Sequence, residues 1–521
     1  MHSVYKVDGK AFFPLGGQSC NSSAYNEKEL EAFWRALKEI GGNTAEIPVY
    51  WEAVEPEEGR FDFASVDSLI GRAEENGVRL ILLWFATWKN GTMKFAPSWV
   101  KKDTGRFKRV ITHDGIPISV LSSHCKANFE ADCKAFCALM EHVRRVDGGK
   151  GTVIGVQVEN EPGIIGRSVR DHGPDGEAEF RTYVPPALIG RIRENPSSPV
   201  YGIWKRCGGK PAGSWRELFG NEAPELFTAW SIAGYIGGIA EAGKRIYNLP
   251  MHVNVWISGL GWDMPGLDYP SGGAVEKVLD IWKWTAKSID LIAPDIYRLD
   301  SQNYCRDCSI YSRKDNPLFI PESHSWDPSN ARNMFYAIGK YDAIGIMAFG
   351  IENLYDGEGK IKPNARAVAD SFRAVSEALP LLVGYHGTGR IRAVVQEEGM
   401  FEQQLLFEGF SGLVCFKNER SDYHHGYSGA QPQRGRGLVI EGDRGEFYVL
   451  GGGFTLSLRR HSGADYALQL MDRNVNYLSV EEGHFDGSGS FVRDRIRNGD
   501  ESDYGIWVAP DVGVVKVVMG E

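Results

Sequence analysis

The chain of 521 residues lacks the features of several broad protein classes. It has no run of ~20 apolar residues, so no helical membrane span is expected. It opens Met1-His2-Ser3-Val4-Tyr5-Lys6-Val7-Asp8-Gly9-Lys10. That start has no basic stretch followed by an apolar run of ~7–15 residues, so no secretory leader is read and the expected compartment is cytoplasmic. Basic residues are in deficit. The 58 Lys and Arg against 68 Asp and Glu leave a net charge of −10, which argues against nucleic acid and anionic membrane as partners. The eight cysteines are few and irregularly spaced, which argues against a disulfide framework. Cys305 and Cys308 form a lone CxxC. No second CxxC or HxxxH supplies the rest of the four or so ligands of a structural zinc. Free thiols, no metal and no cofactor are therefore expected. Internal repeats and low-complexity tracts are absent as well.

Hydrophobic residues make up 42% and charged residues 24% of the chain, a globular composition. The 14 tryptophans suit either sugar stacking or a large core, and composition leaves those readings level. The length suits a barrel of ~250 to over 400 residues plus an appended module.

Eight short apolar runs precede residue 355: Phe12–Gly17, Thr44–Val49, Arg79–Leu83, Val153–Val158, His252–Ile257, Leu291–Pro294, Leu318–Pro321 and Gly345–Phe349. Each has strand length and bulky or β-branched residues. Helical patterns separate most of them. Glu27–Ile40 spaces Leu30, Phe33, Trp34, Leu37 and Ile40 along one face, and Asn26 with Glu29 resembles a capping box. Further helices are expected at 129–146, 226–246, 275–285, 330–338 and 364–379. Alternation of strand and helix implies a parallel sheet, and eight units imply a closed (β/α)₈ barrel, placed at 1–380. The gap between the fourth and fifth strands, about 163–250, reads as a βα insertion that shapes the active-site end. Pro380 and the stretch 384–389 mark a boundary. Beyond it, runs such as Arg390–Val395, Gln403–Glu408, Gly412–Phe416, Gly445–Leu450 and Thr455–Arg459 read as a smaller all-β, sandwich-like domain over 385–521.

Catalytic groups of such barrels sit at the C-terminal ends of strands. Two strand ends carry carboxylates. Val156-Gln157-Val158-Glu159-Asn160-Glu161 ends the fourth strand, and alternation would put Gln157, Glu159 and Glu161 on one side, toward the interior or mouth. Polar side chains there are costly unless they serve a site. Asn160 is placed to bond a sugar hydroxyl. Leu318-Phe319-Ile320-Pro321-Glu322-Ser323-His324 ends the seventh strand. Retaining glycoside hydrolysis needs two carboxyl groups ~5–5.5 Å apart, one an acid and one a nucleophile. Glu161 and Glu322 supply that count. Tyr50, Trp51, Trp84, Trp88, Asn254, Trp256, Glu159 and His324 are candidate substrate contacts. Glu352 is another, although a helix-start carboxylate explains it equally well.

The sequence resembles the clan A glycoside hydrolases, and within them family 35, the β-galactosidase family. Gly42-Asn43-Thr44, Tyr50-Trp51, Glu55-Pro56, Gly59-Arg60-Phe61-Asp62-Phe63 and Val156–Glu161 carry the resemblance, loosely over residues 8–380. It implies Glu161 as general acid/base, Glu322 as nucleophile, and Tyr297, in Pro294-Asp295-Ile296-Tyr297, as a hydrogen-bond donor to the nucleophile. One departure stands out. The family's third strand carries Ala-Glu-Trp with a galactose-contacting Glu, whereas this chain reads Ala86-Thr87-Trp88. Thr87 at that position puts galactose preference in doubt.

The expected activity is that of a retaining exo-β-glycosidase, β-galactosidase-like, with β-glucosidase or transglycosylase as the runner-up. The expected partner is a small oligosaccharide or glycoside, and homo-oligomerisation is left open. A noncatalytic carbohydrate-binding barrel would have lost one carboxylate. A metal-dependent barrel hydrolase would carry His-x-His after its first strand. Neither pattern is present.

Overall fold

The computed structural model describes residues 4–259, 261–416, 433–460, 477–509 and 513–520. Eight parallel strands form one sheet: β1 (Leu15–Gln18), β2 (Thr44–Tyr50), β3 (Arg79–Lys89), β4 (Val153–Asn160), β5 (Met251–Trp256), β6 (Leu291–Asp295), β7 (Phe319–Ile320) and β8 (Gly345–Phe349). Neighbours in sequence are neighbours in the sheet, and β8 returns to pair with β1. Between β6 and β7 the ring is held by a parallel bridge, Ile296 to Ser323, with Ile296 N donating to Glu322 O at 3.0 Å. The result is a (β/α)₈ barrel.

A helix follows each strand: α1 (Glu27–Glu39), α2 (Ala64–Asn76), α3 (Lys126–Asp147), α4 (Ala223–Ile246), α5 (Leu279–Thr285), α6 (Ser301–Tyr311), α7 (Pro328–Tyr341) and α8 (Arg366–Ser376). In α1 the buried face is Leu30, Phe33, Trp34 and Leu37, the stripe read from the sequence. Asn26 does cap α1, but its side chain accepts from Lys28 N and forms no capping box with Glu29. The helices α2 and α6 are not among those expected from the sequence. In α2 only Val66, Leu69, Ile70 and Ala73 are buried. The stretch between β4 and α4 folds as four short helices, Pro174–Phe180, Pro186–Glu194, Pro199–Arg206 and Trp215–Phe219. A proline sits in the first turn of the first three, where its missing N–H costs nothing.

Two apolar layers result. Ile81, Leu83, Phe85, Ile154, Leu291, Ala293, Phe319 and Met347 pack together with Tyr5. Alternate residues such as Leu80, Leu82, Trp84, Val156 and Val158 join the larger core shared with the helices. Tyr5 OH meets His252 Nδ1 at 3.2 Å, and burial pushes His252 down to about 3, so this ring is neutral. Strand β1 runs close to β2 because of glycine: a Cβ on Gly16 would lie 1.9 Å from Thr44 O.

Beyond the barrel, Leu379–Tyr385 is a short helix. Among the described residues ten antiparallel strands follow: β9 (Ile391–Val395), β10 (Glu402–Leu406), β11 (Phe410–Cys415), β12 (Arg436–Glu441), β13 (Glu446–Gly452), β14 (Phe454–Arg460), β15 (Tyr477–Phe485), β16 (Phe491–Arg497), β17 (Ile506–Val508) and β18 (Val514–Met519). They make a six-stranded sheet, β9-β12-β13-β18-β15-β16, and a four-stranded sheet, β10-β11-β14-β17. Leu405, Phe407, Phe447, Val449, Leu456, Leu458, Val515 and Val517 belong to one apolar core that both sheets supply. None of these strands joins the barrel sheet. The β domain docks on α7 and α8. Buried Arg436 donates to Ser371 Oγ at 2.7 Å and Ala367 O at 3.1 Å. Gly339 on α7 lets β9 approach, since a Cβ there would meet Ala393 N at 2.5 Å.

No helix among the described residues is long and apolar enough to cross a membrane. All eight cysteines are free thiols; Cys305 and Cys308 lie one turn apart on α6, Cys308 buried.

Candidate active site

The C-terminal ends of the strands open onto a pocket of about 360 Å³. Asn21, Lys89, Asn90, Glu161, Trp256, Ile257, Asp295, Tyr297, Arg298, Glu322 and Phe349 line it. Glu161 follows β4, Asp295 ends β6 and Glu322 follows β7. One carboxylate oxygen from each lies within 4.8 Å of the other two. Both Glu161 and Glu322 are buried, at 7% and 5% exposure.

Three donors converge on Glu322. Tyr297 OH donates to Oε2 at 2.8 Å, and the side-chain amides of Asn160 and Asn254 both donate to Oε1 at 3.3 Å. Each amide is oriented by its other atom. Asn160 Oδ1 accepts from Lys89 Nζ at 2.7 Å, and Asn254 Oδ1 accepts from the backbone N–H of Glu161 at 2.8 Å. Asn254 Nδ2 also donates to Asp295 Oδ2 at 2.8 Å. Such donors favour a charged carboxylate at Glu322.

Glu161 has a different environment. Burial first, and then the charge of Glu322, push its carboxyl up to about 7, with the Lys89 ammonium partly opposing them. Burial, followed by the charges of Glu322 and Glu161, holds Asp295 well above the usual carboxylate range. Tyr297 is raised by burial and by Glu322, so its hydroxyl keeps its proton and donates. A carboxyl pushed toward its neutral form beside one that accepts from three N–H or O–H donors is the division an acid and a nucleophile require.

The backbone explains how these groups meet. Strands β3 and β4 run in register from Ile81 opposite Gly155 to Trp84 opposite Val158, and the next pair is Lys89 with Asn160. Four residues, 85–88, therefore face one, Glu159, and β3 bulges. Glu159 holds the bulge: its carboxylate accepts from Trp88 N at 2.6 Å and Thr87 N at 3.2 Å. To do so it adopts φ +64°, and Glu161 takes φ +44°. Left-handed backbone at non-glycine residues costs about 1–3 kcal/mol each and clusters at functional sites.

This bulge overturns the simple alternation expected at β4. Glu159 does not share a side with Glu161; it points away from the pocket, toward Asp132 of α3, and burial and then the charge of Asp132 raise its carboxyl well above the usual range. Thr87 likewise turns to the helices, where its Oγ1 donates to Asp132 Oδ2 at 2.6 Å and lies 3.0 Å from Tyr235 OH. The group that β3 presents to the pocket is Lys89.

The structure gathers Asn160, Glu161, Asn254, Trp256, Tyr297 and Glu322 at this one place. It does not bring in the other aromatics. Trp51, Trp84 and Trp88 are fully buried in the core shared with the helices. Trp51 Nε1 donates to Glu55 Oε2 at 2.9 Å, and Trp84 Nε1 to Asp132 Oδ1 at 2.9 Å. Tyr50 stacks between Tyr25 and Phe95. Glu352 accepts from Cys20 N at 2.8 Å and Ser23 Oγ at 2.6 Å, which ties β8 to the loop after β1. His324 packs edge-on against Tyr297 and Trp326 and contacts Tyr297 O at 3.2 Å, outside the pocket lining.

Lys89 and Asp295 are among the pocket groups that the sequence reading missed, together with Asn21, Asn90, Ile257, Arg298 and Phe349. Asp295 carried the same signal as Glu161 and Glu322, an acid at the end of an apolar strand. Lys89 had none, because only the bulge turns it inward.

The three carboxylates have the spacing of a cation site. Their surroundings suit protons better. Both oxygens of Glu322 already accept from N–H or O–H donors, and an ammonium stands beside the trio.

Comparison with known proteins places this geometry in context. The model of glycoside hydrolase family 42, described as beta-galactosidase, matches residues 21–192. Over that segment the chain is β-galactosidase-like. A domain of unknown function, DUF5597, matches residues 368–509. A beta-galactosidase of Xanthomonas manihotis is 30% identical over 167 residues, which is 30% of this chain and 25% of that protein. The chain thus aligns with only a quarter of that curated relative. The crystal structure of a beta-galactosidase from Bacillus circulans sp. alkalophilus superposes with a TM-score of 0.50 at 15% identity, over 72% of this chain and 57% of the other. That likeness is one of fold. The matched model is that of family 42, whereas the sequence motifs were likened to family 35.

Proposed function

We propose that the chain is a retaining clan A β-glycosidase, β-galactosidase-like, acting on a terminal β-linked sugar through a covalent glycosyl-enzyme. The observation that carries this reading is the trio geometry. An oxygen of Glu161 lies within 4.8 Å of one of Glu322, an approach compatible with the ~5–5.5 Å between carboxyl groups of retaining enzymes and short for the ~6.5–9.5 Å of inverting ones. The family 42 match over the segment that contains Glu161 supports it.

In the proposed mechanism Glu322 attacks the anomeric carbon while Glu161 gives its proton to the glycosidic oxygen. The bond to the leaving group breaks and an ester to Glu322 forms. Glu161, now ionised, takes a proton from water as the water attacks the same carbon, and the ester is released. Tyr297, Asn160 and Asn254 hold the nucleophile in place. Lys89 and Trp256 face the sugar as a hydrogen-bond donor and a stacking surface. β-Galactosides are the leading substrate class.

A panel of nitrophenyl β-glycosides and natural β-disaccharides, with proton NMR of the first-formed product, tests the proposal. The expected result is cleavage of at least one β-glycoside with a β-configured initial product. An α-configured initial product, or no cleavage of any glycoside, would overturn it.

A further inference from the structure

The pocket holds one carboxyl more than a two-carboxyl mechanism uses. Asp295 is buried at the end of β6. Its Oδ2 accepts from Asn254 Nδ2 at 2.8 Å, and its Oδ1, also buried, meets no N–H or O–H donor of any other group. Facing it is Glu161, buried like Asp295, with a carboxyl oxygen within 4.8 Å of one of Asp295. Two buried carboxyl groups at that range repel when both are ionised, so one of them carries a proton.

We infer that Asp295 and Glu161 share a single proton, and that Asp295 is a positioning residue which keeps the acid/base loaded between turnovers. This rests on the reading of Glu161 as acid/base. It also gives the third carboxyl a purpose that charge accounting makes explicit. Before reaction Glu322 carries one negative charge and the pair another, so the trio carries two. When Glu161 gives its proton to the leaving oxygen, the pair carries two charges. At the same step Glu322 becomes an uncharged ester, so the trio again carries two. Water then returns a proton to Glu161 and frees Glu322, which restores the starting state. The net charge of the trio is therefore the same before and after glycosylation, as it would be for Glu161 and Glu322 alone; what Asp295 adds is one further negative charge, which holds the proton on the pair. Lys89, whose ammonium donates to Asn160, opposes a constant charge, and Arg298, paired with Asp307, lines the same pocket. The other titratable groups that face Asp295 are Tyr297, next to it on the loop after β6, and Tyr311 of α6, both raised by burial and both proton-bearing.

The isosteric variant Asp295→Asn removes the partner without removing its volume. In wild type, stripping the shared proton would take the trio from two negative charges to three. In the variant it takes the trio from one to two. The proton should therefore leave more readily, and the alkaline limb of kcat/KM should move down by at least about one pH unit, a tenfold change in proton affinity. Glu161 also becomes the weaker base toward water, so kcat on activated aryl glycosides, where release of the ester limits, should fall with little change in KM. A purely structural role for Asp295 would lower rates at every pH and leave the limb in place. That outcome, in a variant whose melting temperature matches wild type, would overturn the inference. A readout without substrate separates this failure from failure of the glycosidase reading. Infrared difference spectra across the titration should show one carboxylic-acid C=O band that is altered both by D295N and by E161Q. A band that E161Q removes and D295N leaves unchanged would overturn the shared proton whatever the substrate proves to be.

Discussion

The carboxylate of Glu159 accepts the backbone N–H of Trp88 at 2.6 Å, and that contact fixes the shape of the whole third-strand end. Through the bulge it holds, Lys89 reaches Asn160 Oδ1, and Asn160 in turn donates to Glu322. A residue that never faces the pocket thus sets the position of three that concern it. Glu159→Ala should leave two buried N–H groups unpaired, at about 1–3 kcal/mol each. Thermal unfolding should show a loss of that order, and kcat should fall with it. If the variant keeps both stability and activity, the clamp is unimportant.

Tyr297→Phe removes one hydrogen bond to a charged carboxylate, an interaction of about 1.5–3 kcal/mol. The expected effect is a ten- to hundredfold drop in kcat with KM little altered, because the ring still walls the pocket. Steady-state kinetics check it. A change confined to KM would assign Tyr297 to substrate binding instead.

Glu161 sits at about 7 because burial and Glu322 favour its neutral form. A raised carboxyl is protonated below that value and loses its proton above it, so kcat/KM for substrates with poor leaving groups should fall as pH rises through about 7. Glu161→Ala should abolish this limb. It should also spare glycosylation by activated aryl glycosides and allow azide to replace the missing base, giving a β-glycosyl azide. Loss of activity equal on good and poor leaving groups would remove Glu161 from the acid role.

Glu161, Asp295 and Glu322 could be mistaken for a cation site. With the oxygens of Glu322 occupied by Tyr297, Asn160 and Asn254, activity should survive exhaustive dialysis against a chelator. Loss on dialysis and recovery with one added divalent ion would show that a metal, rather than protons, binds the trio.

Much of the architecture was legible because periodicity is written directly into the chain. The strand ending at Ile320 is apolar, and the one ending at Asn160 is buried throughout, with apolar Val153, Ile154, Val156 and Val158, as strands covered on both faces are. An acid directly after such a run has few structural explanations, so Glu161 and Glu322 stood out. The aromatics did not separate in the same way. Trp84 and Trp88 lie close to the same strand end as Lys89 but face the helices, and composition cannot distinguish a core ring from a sugar platform. Thr87 misled for a sharper reason. Period-two alternation holds only where register holds, and β3 leaves register with β4 after Trp84. The argument that Thr87 replaces a galactose-contacting acid therefore loses its basis, since Thr87 bonds Asp132 and does not face sugar. Helix α6 was missed because its buried face mixes Asp307 with Tyr304, Cys308 and Tyr311, whereas the face of α2, Val66, Leu69, Ile70 and Ala73, has regular helical spacing and was legible but not read.

The most direct test of the account is to trap the glycosyl-enzyme. A 2-deoxy-2-fluoro-β-glycoside with a good leaving group slows both steps but slows hydrolysis of the ester more. Incubation, peptic digestion and mass spectrometry should then find the sugar mass on the single peptide that contains Glu322, with no label in Glu322→Gln. A label on Glu161 or Asp295, or full turnover with inversion and no adduct, would contradict the assignment of Glu322 as the nucleophile.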